Sequence, residues 1–307
     1  MVLFLPISRP LLLTLSRNRV WNIDVLGVLR GRYLFPGFAL RIGETAIRNC
    51  LRDQLLAIKQ EGLDNIGPTP CLLSEIGIPY DMDDRKAYET GDFVSQICAL
   101  DANHFALEGA GLAYTLWVYT AHNDHQWGDQ WNGEDLSIFS LDDHATDASE
   151  SKTRLEEIEP ANLKRALSHS TMSTDRASLL DEVQATRAAE AFVRPAPVHT
   201  AGTVLEYGFD LSNVTFTLKL MADKATDPET PTEMFMPPFH FPEEETEVKV
   251  SGGKWEYDAE RSVLRWWHNE GEQDIKVVGI GRRKIWGGDD EGYVETMTRN
   301  YGNCLIM

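Results

Sequence analysis

The 307-residue sequence predicts an α/β region followed by an all-β region. Up to residue 119, apolar residues with helical spacing alternate with short apolar runs, which is the pattern of βα units built on a parallel sheet. After Pro195 the apolar period changes to two, which is typical of short antiparallel strands. Residues 142–187 separate the two regions and contain no Phe, Trp or Tyr.

The α/β region contains two predicted helices and two predicted strands. Apolar residues spaced three and four apart predict helices over residues 38–62 and about 87–108. The apolar runs Cys71–Ile76 and Ala113–Tyr119 predict buried strands, the first of them buried on both faces. His104 belongs to the apolar stripe of the second helix, and we interpret it as a core histidine satisfied by hydrogen bonds rather than a ligand.

The all-β region contains several short predicted strands separated by Gly, Pro and Asp, and such a series predicts a small antiparallel sandwich. Ahead of the first helix the chain offers at most one more strand, over Asn22–Leu29. The strands predicted after Pro195 are Val214–Leu220, Thr246–Val250, Lys254–Tyr257, Val263–Trp267 and Ile275–Ile280.

Charge and cysteine content exclude some classes of function. The formal net charge is −19, and such an excess of carboxylates repels phosphate backbones, so we expect no nucleic-acid partner. The four cysteines form no C-x-x-C pair, which favours reduced thiols in a cytoplasmic protein. No cofactor is predicted.

The two ends of the sequence carry possible targeting signals. Pro6, Arg9 and Pro10 interrupt the apolar run at Met1–Leu15, which argues against a secretory signal peptide. Cys304 begins the final Cys-Leu-Ile-Met, which fits a farnesylation motif, although an accidental cysteine near the tail is an equally good interpretation. One farnesyl chain supports only transient, peripheral membrane contact.

Glu75 is the sharpest catalytic candidate. It lies near the end of the apolar run Cys71–Ile76 and is followed by Gly77 and Pro79, where parallel α/β barrels place active-site residues. A carboxylate paired with a neighbouring arginine is the alternative interpretation.

A second cluster, residues 122–135, combines tryptophans with amides and carboxylates. Flat aromatic rings stack on the apolar face of a sugar, and amides and carboxylates hydrogen-bond its hydroxyls. A solvated polar loop is the alternative. A metal site is disfavoured because the segment lacks the ligand spacing of known zinc motifs. The residues considered for a metal were His122, Asp124, His125 and Asp129.

Several long motifs resemble glycoside hydrolase family 5, in particular its fungal glucosylceramidase and sterylglucosidase-like members, which are related to endoglycoceramidase. The last two motifs below resemble that group's C-terminal sandwich domain. The motifs are SEIGIPYDMDD (Ser74–Asp84), the run Tyr88–Glu108, TLW (Thr115–Trp117), GDQWNGEDLSIFS (Gly128–Ser140), RPAPVHTAG (Arg194–Gly202) and TPTEMFMPPFHFP (Thr230–Pro242).

The resemblance implies a retaining hydrolase on a (β/α)8 barrel whose substrate is a glycolipid, glucosylceramide or a sterylglucoside. Glu75 matches the family's nucleophile, and Trp117 matches the aromatic residue that lines the glucose subsite. The aromatic and polar cluster then supplies further substrate contacts, for which the candidates are Asn123, Asp129, Trp131, Asn132 and Glu134.

The family's acid/base is the Glu of an Asn-Glu-Pro motif, which this sequence lacks. Only two or three of eight βα units can be counted, so we expect the C-terminal part of a longer enzyme without its acid/base half. The predicted domains are a partial TIM barrel (1–141), a disordered acidic linker (142–187), and a final barrel helix with a β-sandwich (188–307). The alternative is a non-catalytic fragment that binds a carbohydrate or glycolipid.

Overall fold

The computed structural model describes residues 2–3, 21–131, 133–144 and 186–279. The chain divides into two compact units. Unit 1 takes in residues 1–76, 98–115 and 190–307, and unit 2 takes in residues 77–97 and 116–189. Unit 1 takes in residues from the predicted partial barrel as well as from the predicted sandwich region, and the predicted domain boundaries stay a prediction.

The described chain contains thirteen strands and six helices, besides 3-10 turns at Pro36–Ala39, Asp83–Arg85 and Glu243–Glu245. The strands are β1 (Val2–Leu3), β2 (Trp21–Ile23), β3 (Leu40–Ile42), β4 (Leu72–Ile76), β5 (Ala113–Leu116), β6 (Ala196–His199), β7 (Thr203–Asp210), β8 (Thr215–Ala222), β9 (Thr232–Phe235), β10 (Thr246–Val250), β11 (Lys254–Asp258), β12 (Val263–Trp267) and β13 (Gly271–Gly279). The helices are α1 (Val25–Leu29), α2 (Glu44–Ile66), α3 (Lys86–Thr90), α4 (Val94–Ala110), α5 (Leu141–His144) and α6 (Ala189–Phe192).

A three-stranded sheet in the order β1-β4-β5 carries the strand that ends near Glu75. β1 is parallel to β4, and the Thr115 hydroxyl on β5 donates to the Ser74 carbonyl on β4. β4 is not buried on both faces as predicted, because Leu72 is exposed while Leu73 is buried. The face that Leu72 shares with Ser74 and Ile76 is exposed at Leu72 and buried at Ile76, so only the start of β4 is accessible on that side.

The two predicted helices are present, with changes at their ends. The first is α2, which begins after Gly43 and ends before Gly67, both at positive φ. The second is broken, because Gly91 adopts a left-handed conformation and ends α3 before α4 begins. Asp92 then accepts a hydrogen bond from the Val94 N–H, an interaction that caps the new helix.

The predicted apolar stripe of the second helix is confirmed along α4, where Ile97, Leu100, His104 and Leu107 are all buried. The expectation that His104 is satisfied by hydrogen bonds is wrong for the described residues, because neither ring nitrogen has a partner among them. His104 packs against the Tyr114 ring instead, with 5.1 Å between the ring centroids. Burial holds the pKa of His104 well below its usual value, so the ring is neutral.

The region after Pro195 forms two four-stranded antiparallel sheets, in the orders β10-β13-β8-β7 and β11-β12-β9-β6. Side chains of β8 and β13 alternate between buried and accessible positions, so their sheet buries one face. All five strands predicted here are present within a few residues. Three further strands were not predicted. β6 and β7 carry Pro or Gly and a β-bulge, which weaken the alternation, and β9 is only four residues long.

A buried arginine links α4 to the region after Pro195 within unit 1. The Arg194 guanidinium donates to Asp101 at 2.5 Å and to both carboxylate oxygens of Glu108, at 2.6 and 3.0 Å. Glu108 also accepts from the Phe209 N–H at 3.0 Å. Burial works against a charged guanidinium here, yet the two carboxylates raise the pKa of Arg194 above its ordinary value.

Two further expectations need correction. Asn22–Leu29 is not one strand, because Asp24 accepts a hydrogen bond from the Gly27 N–H and thereby caps α1 after β2 ends. The predicted linker at 142–187 has ordered ends, since Asp143 lies in α5 and Arg187 is buried. Its remaining residues, 145–185, lie outside the described residues. None of the described helices is long and apolar enough to cross a membrane.

Candidate active site

Glu75 lies one residue before the end of β4 and is half-buried. In the described ranges, no hydrogen bond or ion pair to its carboxylate is present, so no described arginine neutralises it. The alternative interpretation of Glu75 as one half of a structural ion pair therefore gains no support. A half-buried carboxylate without a fixed partner can approach a substrate atom.

Trp117 begins the segment that follows β5, and its backbone packs closely on Gly77. A Cβ atom placed on Gly77 would lie 2.2 Å from the Trp117 carbonyl oxygen, so only glycine fits there. The Trp117–Val118 peptide bond is cis. The Val118 N–H donates to the Leu136 carbonyl at 3.0 Å, and the Val118 carbonyl accepts from the Ile138 N–H at 2.8 Å. These bonds pair the segment after Trp117 with residues 136–138.

The loop at residues 123–135 is shaped by its own carboxylates. Asp124 accepts hydrogen bonds from the N–H groups of Gln126 and Trp127, which is an Asx-type turn. Asp129 is buried and accepts from the N–H groups of Trp131 and Leu136, at 2.8 and 3.3 Å. The Asp129 carboxylate therefore supports the loop, whereas its predicted contact with a sugar stays a prediction.

Aromatic side chains of this loop extend into solvent. Trp127 and Trp131 are 64% and 62% exposed, and Glu134 is half-buried. The predicted site included Trp131 and Glu134 but not Trp127. Trp127 could have been included as a candidate from the sequence, because it lies four residues before Trp131 in a segment that has no helical periodicity. Asn132 and Cys304 lie outside the described residues.

Asn123 is fully buried, and both of its amide atoms are used within unit 2. Its nitrogen donates to Asp135 at 2.8 Å, and its oxygen accepts from Arg187 at 2.7 Å. Each amide atom thus has one hydrogen bond within unit 2, and the substrate contact predicted for Asn123 stays a prediction. The residue was predicted as a substrate contact, and the structure places it beneath the loop.

Arg187 joins a closed ring of five side chains beneath the loop. Its guanidinium donates to Asp135 and Asp143, each at 2.6 Å. The Tyr88 hydroxyl donates to Asp135, and His125 Nε2 lies 2.8 Å from Asp143. The ring closes where Tyr88 stacks on His125, with 3.9 Å between centroids and 4° between planes. The sequence does not predict this ring, because its members come from separated segments and Arg187 lies in the predicted linker.

The ring fixes the protonation of its members. Burial and the hydrogen bond to Asp135 raise the pKa of Tyr88, so the phenol stays a donor. Burial disfavours the ionised form of Asp143, but His125 and Arg187 outweigh it and lower its pKa. Burial likewise opposes the charge of Arg187, yet Asp135 and Asp143 raise its pKa.

The described residues contain no group of three or more His, Cys, Asp or Glu side chains that could hold a metal ion. His125, one of the residues considered for a metal, stacks on Tyr88 and contacts Asp143 instead.

Residues 194–277 match the model of the Glycoside hydrolase family 5 C-terminal domain. The curated relatives that the chain matches carry glycosidase names. This chain is 44% identical to a glucosylceramidase of Aspergillus fumigatus, over 96% of this chain and 43% of that protein. The chain belongs to glycoside hydrolase family 5.

Other members of the family are similar over most of this chain. It is 37% identical to an ergosteryl-beta-glucosidase of Saccharomyces cerevisiae, over 87% of this chain and 38% of that protein. A crystal structure of Cryptococcus neoformans sterylglucosidase 1 superposes with a TM-score of 0.71 at 33% identity, over 85% of this chain and 36% of that one. This family-5 chain thus spans less than half the length of the curated relatives it matches.

Proposed function

We propose that these residues belong to a retaining β-glucosidase that acts on a glycolipid, glucosylceramide or a sterylglucoside, with Glu75 as the nucleophile. The single observation that carries the proposal is that the half-buried Glu75 carboxylate, near the end of β4, has no hydrogen bond or ion pair among the described residues. Trp117, the residue that matches the family's glucose-subsite aromatic, begins the segment that follows β5. The names of the relatives, glucosylceramidase and ergosteryl-beta-glucosidase, support the substrate class.

The chemistry assigned to Glu75 is a double displacement. Its carboxylate attacks the anomeric carbon while the bond to the leaving oxygen breaks, and water then releases glucose from the glycosyl-enzyme ester. The leaving oxygen of a ceramide or sterol is an alkoxide unless an acid protonates it. A second carboxyl group is therefore required about 5–5.5 Å from the first.

We propose that this acid lies in the part of the family's length that these 307 residues do not span. The absence of an Asn-Glu-Pro motif from the sequence supports this proposal. The sheet β1-β4-β5 with helices α2 and α4 then represents the last units of the family's (β/α)8 barrel, and the two four-stranded sheets represent the sandwich domain.

An activated substrate tests the nucleophile separately from the acid. 2,4-Dinitrophenyl β-D-glucoside has a leaving group that departs without protonation, so it requires only the nucleophile. We expect the chain to release dinitrophenolate, Glu75→Gln to release none, and the exposed Glu89→Gln to behave as the parent. Equal release from parent and Glu75→Gln, or none from either, would overturn the assignment.

The natural substrates test the missing acid. The chain by itself is expected to leave fluorescent glucosylceramide and sterylglucoside intact, because nothing protonates their leaving oxygen. Cleavage that Glu75→Gln abolishes would place the acid within these residues and contradict that part of the proposal.

The alternative function, non-catalytic binding of a carbohydrate or glycolipid, is favoured by one observation. Trp127 and Trp131 are largely exposed on a loop that its own hydrogen bonds hold in shape. Exposed tryptophans on a stabilised loop suit sugar stacking without turnover. Glucoside binding combined with failure to cleave the activated substrate would favour this alternative.

A further inference from the structure

We propose that Arg187 is a positioning residue, which acts through Asn123 and Asp135 to hold the loop at residues 123–135 in the shape that binds the glucose ring. This inference rests on the proposed function. It concerns a residue that lies outside every motif of the family resemblance and that does not reach the loop surface.

The first support is the set of partners that meet at one guanidinium. Arg187 is only 1% exposed, and its three donor atoms reach Asn123, Asp135 and Asp143 at 2.6–2.7 Å. These partners lie 44 to 64 residues away in the sequence. Arg187 therefore fixes both sides of the loop, since Asn123 begins it and Asp135 ends it.

The second support is that Arg187 also contacts the segment that follows β4. The Tyr80 ring lies beneath the guanidinium at 5.1 Å, and the Tyr80 hydroxyl donates to the Arg187 carbonyl at 3.3 Å. The Tyr80 N–H donates to the Asp135 carbonyl at 2.7 Å. The segments that follow β4 and β5 thus meet on the same residue.

The third support is a backbone connection to the predicted subsite aromatic. The Arg187 N–H donates to the Ile138 carbonyl at 2.7 Å, and the Ile138 N–H donates to the Val118 carbonyl at 2.8 Å. Val118 directly follows Trp117. Two backbone hydrogen bonds therefore connect Arg187 to the residue beside Trp117.

The chemistry of the contact requires arginine. A guanidinium presents several N–H donors in a rigid plane and can satisfy three acceptors at once, whereas a lysine ammonium is a point charge on a flexible stem. Arg187→Lys keeps the positive charge but loses the rigid, planar set of N–H donors. Sugar hydroxyls are recognised by hydrogen bonds that tolerate only small displacements, so the loss acts on binding.

A matched control is available in unit 1. Arg194 is also buried and bonds two carboxylates and two backbone carbonyls, but its partners lie on α4, α6 and β7. Arg187→Lys and Arg194→Lys both lower stability, because both loosen a buried ion-pair cluster. Only the first is expected to alter sugar binding.

The test measures binding of octyl β-D-glucoside below its micelle concentration, followed by tryptophan fluorescence, on the full chain. We expect Arg187→Lys to raise the dissociation constant at least about tenfold, with Arg194→Lys remaining within about twofold of the parent. Tyr88→Phe removes one hydrogen bond to Asp135 while keeping the ring that stacks on His125, and should weaken binding by about two- to fivefold.

Each outcome is decisive. Equal binding by Arg187→Lys and the parent overturns the proposal, as does equal weakening by Arg194→Lys. If Arg187→Lys does not fold, Tyr88→Phe decides, and unchanged binding by that variant overturns the proposal. A parent chain that does not bind the glucoside at all contradicts the sugar site itself, and so refutes the proposed function rather than the role of Arg187.

Discussion

Arg187 and Asp135 form an ion pair with 2.6 Å between Nη1 and Oδ2, although 52 residues separate them in the sequence. Both side chains are almost excluded from water. Asp143 and Asn123 bind the same guanidinium. The segments on either side of residues 145–185 are therefore joined by ion pairs of Arg187 as well as by the backbone bridge between Phe139 and Thr186.

Arg187→Met is expected to lower the free energy of unfolding by about 3–5 kcal/mol, because it leaves the buried Asp135 and the half-buried Asp143 without their counter-charge. Urea denaturation followed by circular dichroism measures the change. Arg261→Met, which alters an exposed arginine, is the control and should remain within about 0.5 kcal/mol of the parent. A loss below about 1 kcal/mol in Arg187→Met would show that the ring is not important for folding.

Stability should fall in acid through Asp143. Its pKa is lowered in the folded state, so the stability that its ionisation contributes is present above about pH 4 and is lost as the pH falls through the folded pKa. Arg187 stays charged throughout, so protonation of Asp143 breaks the pair. Urea denaturation between pH 7 and pH 3 should give a shallower acid decline for Asp143→Asn than for the parent. Identical declines would contradict the assignment.

Gly77→Ala should destabilise the chain by about 1–3 kcal/mol, because the new Cβ would lie 2.2 Å from the Trp117 carbonyl oxygen. Gly208→Ala is the matched control, since its new Cβ would meet its nearest neighbour, a Glu108 carboxylate oxygen, at 3.6 Å, which is ordinary contact. Thermal denaturation of the two variants compares them directly. Equal melting temperatures would mean that the backbone at Gly77 moves aside freely.

Trp127→Ala and Trp131→Ala should each weaken octyl β-D-glucoside binding by about 2- to 12-fold, the value of a lost aromatic contact. Isothermal titration calorimetry avoids the change in fluorescence that removal of a tryptophan causes. Trp255→Ala removes another exposed tryptophan, on β11, and should bind as the parent does. If all three variants bind octyl β-D-glucoside with the same affinity, the loop is not part of the sugar site.

The sequence predicts the described fold well where apolar periodicity is strong. The buried stripe of α4 and strand β12 agree with their predicted positions because a single buried face fixes the pattern. The break at Gly91 was missed because one glycine within a helical pattern does not by itself reveal a left-handed backbone. β6 and β9 were missed because each is only four residues long.

The candidate site is harder to predict from sequence, and Asn123 illustrates the reason. The sequence of an aromatic-rich loop looks the same whether a polar side chain in it faces a sugar or supports the loop from below. Asn123 supports the loop because its amide oxygen accepts a hydrogen bond from Arg187, 64 residues away in the sequence. A contact over that sequence distance has no local signal, so the ring beneath the loop could not be predicted.

The assignment of Glu75 as nucleophile is tested most directly by trapping its covalent ester. 2,4-Dinitrophenyl 2-deoxy-2-fluoro-β-D-glucoside forms the glycosyl-enzyme readily, and the fluorine slows its hydrolysis. Peptide mass spectrometry of the labelled chain should find one fluoroglucosyl group on Glu75, none in Glu75→Gln, and undiminished labelling in Glu89→Gln. A parent chain without label, or with its label on another residue, would contradict the account.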